Sequence, residues 1–381
     1  MAKYKLGDIC EIVSGSTPKT SIEEYWDGDI KWITPAEIND DTYIVTDSVR
    51  KITDLGAKKT GLSPFPEGTV ILSSRAPIGK VAIAGCAMCC NQGFKNLICS
   101  EKILNKYLYW FLKGNTSFLN SLGRGATFKE ISKSIVSQIE INVPDIEYQK
   151  EAADILEKVS EVIYLRKQEL TALDNLINAR FVEMFGDPRS NPFGFEKKRL
   201  KDTCKVITGN TPSRAIEEYY GDYIEWIKTD NIVSGILNPT QATESLSEKG
   251  MNVGRTVEKD SILMACIAGS IASIGRVCIT DRTVAFNQQI NAVVPEQYNI
   301  LFLYVLFQMS KDYLVEDINM ALKGILSKSK LEEKEFIIPP MDLQEQFSDF
   351  VKQVDKSKVA VQKALDETQM LFDSLMQEYF G

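Results

Sequence analysis

Residues 145–186 read DIEYQKEAADILEKVSEVIYLRKQELTALDNLINARFVEMFG. Ile155, Val159, Val162, Arg166, Leu170, Leu173 and Ile177 fall at steps of four, three, four, four, three and four. One apolar stripe with a mostly coiled-coil period and a single slip predicts one long amphipathic helix. Phe185-Gly186 followed by Asp187-Pro188 is a Gly/Pro stop. The last forty residues repeat the pattern: Phe347, Val351, Val354, Lys358, Val361, Leu365, Thr368, Phe372, Leu375 and Tyr379 alternate steps of four and three, and Phe380-Gly381 ends the run. Two matched helices, one central and one terminal, imply a duplicated chain.

The globular parts repeat as well. At a shift of 194, Lys5–Asn39 lies on Arg199–Val233 with 14 of 35 positions identical, among them Gly15-x-Thr17-Pro18 on Gly209-x-Thr211-Pro212 and Trp32 on Trp226. At 196, Ile78-Gly79-Lys80-Val81 meets Ile274-Gly275-Arg276-Val277 and Asn91-Gln92 meets Asn287-Gln288. Pro144 meets Pro339, and Phe185-Gly186 meets Phe380-Gly381, at 195. So nearly constant an offset marks a domain duplication, not a solenoid. Within each half the pattern is mixed, an α+β fold class. A turn or short helix spans Leu6–Ile12, strands are expected at Ile30–Thr34, Thr69–Ser73, Ala82–Ala84 and Asn96–Ile98, and buried helices at Ile103–Leu112 and Ile300–Phe307. Asp145, and Asp342 with Glu345 at capping-box spacing, suit the starts of the two long helices.

Charge and composition narrow the function. A chain of 381 residues predicts two or three domains of a soluble globular protein. No apolar run reaches the roughly 18 residues of a membrane helix, and Met1–Asp8 lacks a signal peptide's apolar core, so cytoplasm is expected. The net charge of −8 argues against a nucleic-acid partner until it is placed. Asp145–Phe185 carries nine acidic and five basic residues, and Asp342–Gly381 eight and four, so the two helices hold the whole excess. The globular parts are free to carry local basic patches. With no histidine, His-based catalysis and His-containing metal sites are excluded. Cys86-x-x-Cys89-Cys90 and Cys99 have zinc-like spacing, but the matching positions Arg282, Ala285, Phe286 and Pro295 hold no ligand, so free buried thiols are expected. Trp32 and Trp226 are expected in the core and the Gly-x-Thr-Pro segments as turns.

Each helix, about 60 Å long, has a stripe to bury. The other copy is its nearest partner, and antiparallel pairing is expected because each helix starts at its own domain. Lys358, Thr368 and Arg166 interrupt the stripes, either as snorkelling side chains or as selectors of register.

Two tandem domains that each open with Leu-x-Asp…Gly-x-Thr-Pro, carry Ile-Gly-Lys/Arg-Val…Asn-Gln and close with Pro, a long helix and Phe-Gly resemble the specificity subunit of type I restriction-modification systems. The resemblance covers nearly the whole chain and rests on the doubled order of motifs. It implies target recognition domains at 1–144 and 187–341, each reading half of a bipartite, asymmetric DNA site. It implies spacer helices at 145–186 and 342–381, paired as an intramolecular antiparallel coiled coil with pseudo-twofold symmetry. The partners would be double-stranded DNA, two methyltransferase subunits and restriction/translocase subunits, with no membrane. The subunit would have no catalysis and no cofactor of its own, S-adenosylmethionine, ATP and Mg being bound by the partners. The sequence agrees in lacking both an Asn/Asp-Pro-Pro-Tyr/Phe methyltransferase signature and a Walker loop.

Base edges are read by Arg, Lys, Asn, Gln, Ser and Thr, and phosphates by Lys, Arg and amides. The DNA-binding candidates are Lys58, Lys59, Thr60, Ser73, Ser74, Arg75, Lys80, Asn91, Gln92, Lys95, Arg124, Thr127 and Lys129 in the first half. In the second they are Arg214, Arg255, Ser270, Arg276, Asn287, Gln288, Gln289, Lys323, Lys328, Ser329 and Lys330, with Ser327 beside them. Positions shared by the halves, such as Lys80/Arg276, suit phosphates or architecture. Asn91-Gln92 and Asn287-Gln288 suit either DNA or a hydrogen-bonding pair that holds the fold. Positions that differ suit base reading: Ser74-Arg75 against Ala268-Gly269-Ser270, and Lys58-Lys59-Thr60 against Gly254-Arg255-Thr256. Two other readings stand beside this one: a coiled-coil adaptor without DNA binding, and a stand-alone methyltransferase or nuclease.

Overall fold

The structure is a computed structural model and describes residues 2–39, 41–75, 77–125, 129–318 and 324–381. The chain divides into two compact units, Met1–Lys167 with Lys363–Gly381, and Gln168–Gln362. Both are mixed α and β.

In the first unit the main sheet has the order Cys10–Ser14, Lys95–Cys99, Val70–Leu72, Val81–Ala84, Ile44–Val45. The strands Val70–Leu72 and Val81–Ala84 are apolar and wholly buried, as expected of strands covered on both faces. A second sheet orders Arg50–Ile52, Trp26–Ile33 and Cys89–Cys90. The helix Asn105–Gly114 buries Tyr107 through Leu112 against the main sheet. Ala2–Lys5 pairs with Glu140–Val143 at the root of the central helix. The strand Cys10–Ser14 follows a helix of only four residues, Leu6–Ile9, where the sequence suggested one continuous turn or helix.

The second unit repeats this register. Cys10 faces Cys99 in the first unit, and Cys204 faces Pro295 in the second. Trp32 pairs with Cys89, and Trp226 with Ala285. Its main sheet orders Cys204–Thr208, Ile290–Pro295, Ile262–Ala265 and Val277–Ile279, covered by the helix Ile300–Met309.

The long helices run Ile146–Phe185 and Met341–Phe380, 40 residues each. The Asp145 carboxylate caps the first by accepting from the Tyr148 amide at 2.9 Å. The second starts earlier than its capping-box spacing suggested: Pro340 offers the first carbonyl, so Asp342 lies inside the first turn, where its charge suits the helix dipole. Gly186 closes the central helix at φ 71°.

The slip expected in the central stripe is absent. Ile163 is 8% exposed and Val162 39%, so the stripe passes through Ile163. Gln149, Ala152, Leu156, Val159, Ile163, Arg166, Leu170, Leu173 and Ile177 then alternate steps of three and four without interruption. Each lies 195 residues before a position on the terminal stripe, from Gln344 to Phe372. The two glutamines, both buried, tie the helices to their domains. Gln149 accepts from the Leu104 amide at 2.8 Å and donates to the Pro144 carbonyl at 2.9 Å. Gln344 accepts from the Asn299 amide at 2.9 Å and donates to the Pro339 carbonyl at 2.8 Å. No sequence expectation singled them out. Lys358 does not snorkel freely: its ammonium lies 2.6 Å from the Asp174 carboxylate. Thr368 bonds back to the Ala364 carbonyl at 2.6 Å.

Candidate nucleic-acid interface

The motifs shared by the two halves build the same scaffold twice. Ser16 donates its amide to the Cys90 carbonyl and Asn210 to the Phe286 carbonyl, seating each Gly-x-Thr-Pro loop on the strand beside it. A Cβ on Gly15 would stand 2.1 Å from the Asn91 carbonyl oxygen, and one on Gly209 2.1 Å from that of Asn287. Only glycine fits that approach. Trp32 Nε1 donates to the Ser16 carbonyl at 2.9 Å and Trp226 Nε1 to the Asn210 carbonyl at 3.3 Å. The Thr17 hydroxyl meets the Gln92 amide oxygen, and the Thr211 hydroxyl that of Gln288. Asn91 Oδ1 accepts from the Gly93 amide at 2.8 Å, and Asn287 Oδ1 from the Gln289 amide at 3.1 Å. The Asn-Gln pairs and Gln289 therefore spend hydrogen-bonding capacity on architecture.

Several other candidates have internal partners. Lys80 donates to the Pro35 carbonyl at 2.8 Å, and Arg276 to the matched Thr229 carbonyl at 3.3 Å. Ser73 and Ser74 are fully buried. The Ser73 hydroxyl donates to the Pro77 carbonyl at 2.7 Å and accepts from the Lys80 amide at 2.8 Å. Lys95 is 7% exposed, with its ammonium 3.2 Å from the Glu130 carboxylate and 3.3 Å from the Ser74 hydroxyl. These buried groups leave the candidate surface: residue type alone did not reveal that their strands are covered. Arg75, half-buried, forms a backbone bridge with Glu130.

The exposed candidates lie on loops and short helices. Lys58 and Lys59 stand in the last turn of the helix Asp54–Thr60, where Thr60 bonds back to the Gly56 carbonyl. Thr53 caps that helix as Ser247 caps Glu248–Val253, so here the halves align at 194, and Lys58 and Lys59 face Asn252 and Val253, not Gly254 and Arg255. Arg255 is exposed just beyond that second helix. Arg124 and Lys129 are exposed beside Glu130. Ser270 is exposed and bonds Ser273 at 3.0 Å. Lys328 lies 3.5 Å from Glu332, the Ser329 hydroxyl 3.2 Å from that of Ser327, and Lys330 donates to the Asp317 carbonyl at 3.3 Å. Thr127 and Lys323 lie outside the described residues.

A further position emerges from the strand register. Arg50 lies directly across from Trp32, and at the matching place the Trp226 amide donates to the Glu244 carbonyl at 3.0 Å. Each domain has an edge-to-face aromatic pair here: Trp26 with Trp32 at 5.1 Å, and Tyr220 with Trp226 at 6.1 Å. The Arg50 guanidinium sits 3.5 Å over the Trp26 ring. In the second domain Arg214 lies 4.7 Å over Tyr220 and 2.7 Å from the Glu244 carboxylate, which Lys228 also binds. Lys228 first, then Arg214, holds the Glu244 carboxyl below the ordinary range. The sequence signal was available: the shift of 194 sets Arg50 on Glu244, a reversal of charge.

The eight cysteines are free thiols. Burial pushes Cys89 up to about 11 and Cys90 up to about 12. Among the described residues no group of three or more Cys, Asp or Glu side chains is arranged to hold a metal, and no helix is long and apolar enough to cross a membrane.

Comparison with known proteins places this architecture. Residues 1–175 and 192–368 each match the family described as Type I restriction modification DNA specificity domain. The chain is 31% identical over 398 aligned residues to the Type I restriction enzyme MjaIX specificity subunit of Methanocaldococcus jannaschii, covering 98% of this chain and 90% of that one. It superposes with a TM-score of 0.61 on the crystal structure of a type I restriction-modification S subunit from M. genitalium, at 15% identity and with 100% of this chain and 96% of that one covered. A chain from a study of complex assembly and conformational transition of the type I R-M system gives 0.59 at 17% identity, covering 99% and 97%. With both halves matched and a full-length relative above 30% identity, this chain belongs to the type I restriction-modification DNA specificity family.

Proposed function

We propose that this chain is the DNA-reading subunit of a type I restriction-modification complex. Residues 1–144 and 187–341 each read one half of a bipartite, asymmetric site. Residues 145–186 and 342–381 pair antiparallel, set the gap between the half-sites and dock two methyltransferase subunits, on which restriction subunits assemble. The chain itself is non-catalytic and works in the cytoplasm. S-adenosylmethionine, ATP and Mg belong to the partners.

One observation carries the reading. The two domains share their scaffold down to strand register and loop hydrogen bonds, yet differ in the side chains they expose. That is the pattern of one recognition fold adapted to two different half-sites. Arg124, Lys129 and Lys328 are the exposed cations we assign to phosphates, and Lys58, Lys59 and Arg255, which differ between the halves, are kept for base reading. Antiparallel pairing is supported by contacts between the start of each helix and the end of the other. Tyr148 and Tyr379 rings lie 5.9 Å apart, and Phe181 and Phe347 rings 5.5 Å apart.

The test is a salt-titrated DNA-binding assay with the methyltransferase subunits present. A steep negative slope of log affinity on log salt supports the reading. A flat response would favour an adaptor, and methyl transfer by the chain alone would make it an enzyme.

A further inference from the structure

We propose that the position across the strand from the shared tryptophan, Arg50 in the first domain and Glu244 in the second, sets which base each domain accepts at one place in its half-site. This rests on the DNA-reading role proposed above.

Both domains hold an arginine over an edge-to-face aromatic pair, but the arginines come from different places. In the first domain Arg50 rises from the strand Arg50–Ile52, is exposed, and among the described residues stands in no ion pair. The contact with the Trp26 ring holds the guanidinium in place without using its N–H donors. Such a group, flat, charged and pre-ordered, matches the O6 and N7 acceptors of guanine in the major groove. In the second domain the strand position is Glu244, and the arginine over the rings is Arg214, from the loop after Thr211-Pro212. Glu244 binds both Arg214 and Lys228, so the cluster above that platform keeps one net positive charge, while the donors facing the carboxylate are partly spent. A free guanidinium fork in one domain thus becomes, in the other, a cluster whose donors are shared with a carboxylate, on an unchanged scaffold. Two halves built alike would otherwise read the same base here.

The experiment uses the full chain assembled with its methyltransferase subunits and a DNA library randomised in both half-sites. For Arg50→Ala we expect discrimination at one guanine of the first half-site to fall by about 5–150-fold, the range for removing a bidentate hydrogen-bonded pair. The second half-site and the spacing should be unchanged. Arg50→Lys keeps the charge but not the two-donor fork, so it should lose the same discrimination while retaining more overall affinity. Glu244→Gln, which releases Arg214 and Lys228, should alter preference in the second half-site alone. Uniform weakening by Arg50→Ala that Arg50→Lys restores would make Arg50 a phosphate contact and overturn the proposal. Unchanged preference in both Arg50 variants would also overturn it. If the unaltered complex selects no bipartite sequence at all, it is the DNA-reading role that fails. If it selects one and the variants select it equally well, only the assignment of Arg50 fails.

Discussion

The Lys358 ammonium lies 2.6 Å from the Asp174 carboxylate, at a stripe position whose counterpart in the central helix is Ile163. The Lys358 side chain is 19% exposed and that of Asp174 49%, so the lysine bears most of the desolvation. Asp174→Ala strands a largely buried cation and should cost about 1–3 kcal/mol in urea unfolding. Replacing the pair as a whole, Asp174→Ala with Lys358→Ile, which copies the other helix, should be neutral or stabilising relative to Asp174→Ala, because no unpaired charge is left at that position. A loss in the double variant as large as that of Asp174→Ala alone would contradict this.

Asp355 gives a pH dependence of known sign. Burial raises its carboxyl above the ordinary value, with Asp174 adding to the rise and Lys358 opposing it. A group whose folded pKa is raised binds its proton more tightly in the folded state, so it costs stability as pH rises above the unfolded value of about 3.9. Asp355→Asn should therefore raise the unfolding midpoint at neutral pH and lose that advantage as pH falls below this value.

Gln149 and Gln344 should matter more to stability than their type suggests. Each satisfies a backbone amide and a carbonyl at a helix root with one buried side chain. Truncation to Ala leaves those groups without their partners, at a cost of about 1–3 kcal/mol each, measured by urea unfolding. Glu147→Ala, in the first turn of the central helix and exposed, serves as the control and should change little.

Salt dependence separates buried from surface cations. Arg124→Ala with Lys129→Ala should shallow the salt slope of DNA binding by about 2, close to 0.9 for each phosphate no longer neutralised. Lys95→Gln should leave the slope alone and lower stability, since it breaks the buried pair with Glu130.

Metal removal should do nothing. A chelator is expected to leave the thermal midpoint unchanged. A thiol reagent should reach half-buried Cys86 and Cys99 before the six buried cysteines. A fall in midpoint with chelator would revive the zinc reading of Cys86, Cys89 and Cys90.

The duplication and both long helices were legible because their periods are strong and repeated. The supposed slip arose from Val162 and Ile163 standing side by side, where composition cannot choose between two apolar neighbours. The terminal copy could, since its stripe shifted by 195 passes through Ile163. The site was less legible. Ser73, Ser74 and Lys95 have the residue types of DNA readers but sit on covered strands, and burial is set by tertiary packing. Arg50 was overlooked because it belongs to no shared motif. It is the difference between the copies at a shared structural position that gives it meaning.

The central claim is that each globular domain reads its own half-site. The most direct measurement is methylated-site mapping in cells that carry the assembled complex, before and after residues 1–144 are exchanged for another domain of this family. The account predicts a bipartite motif in which one half-site changes while the other half-site and the spacing stay the same. A continuous motif, or a change in both half-sites, would contradict it.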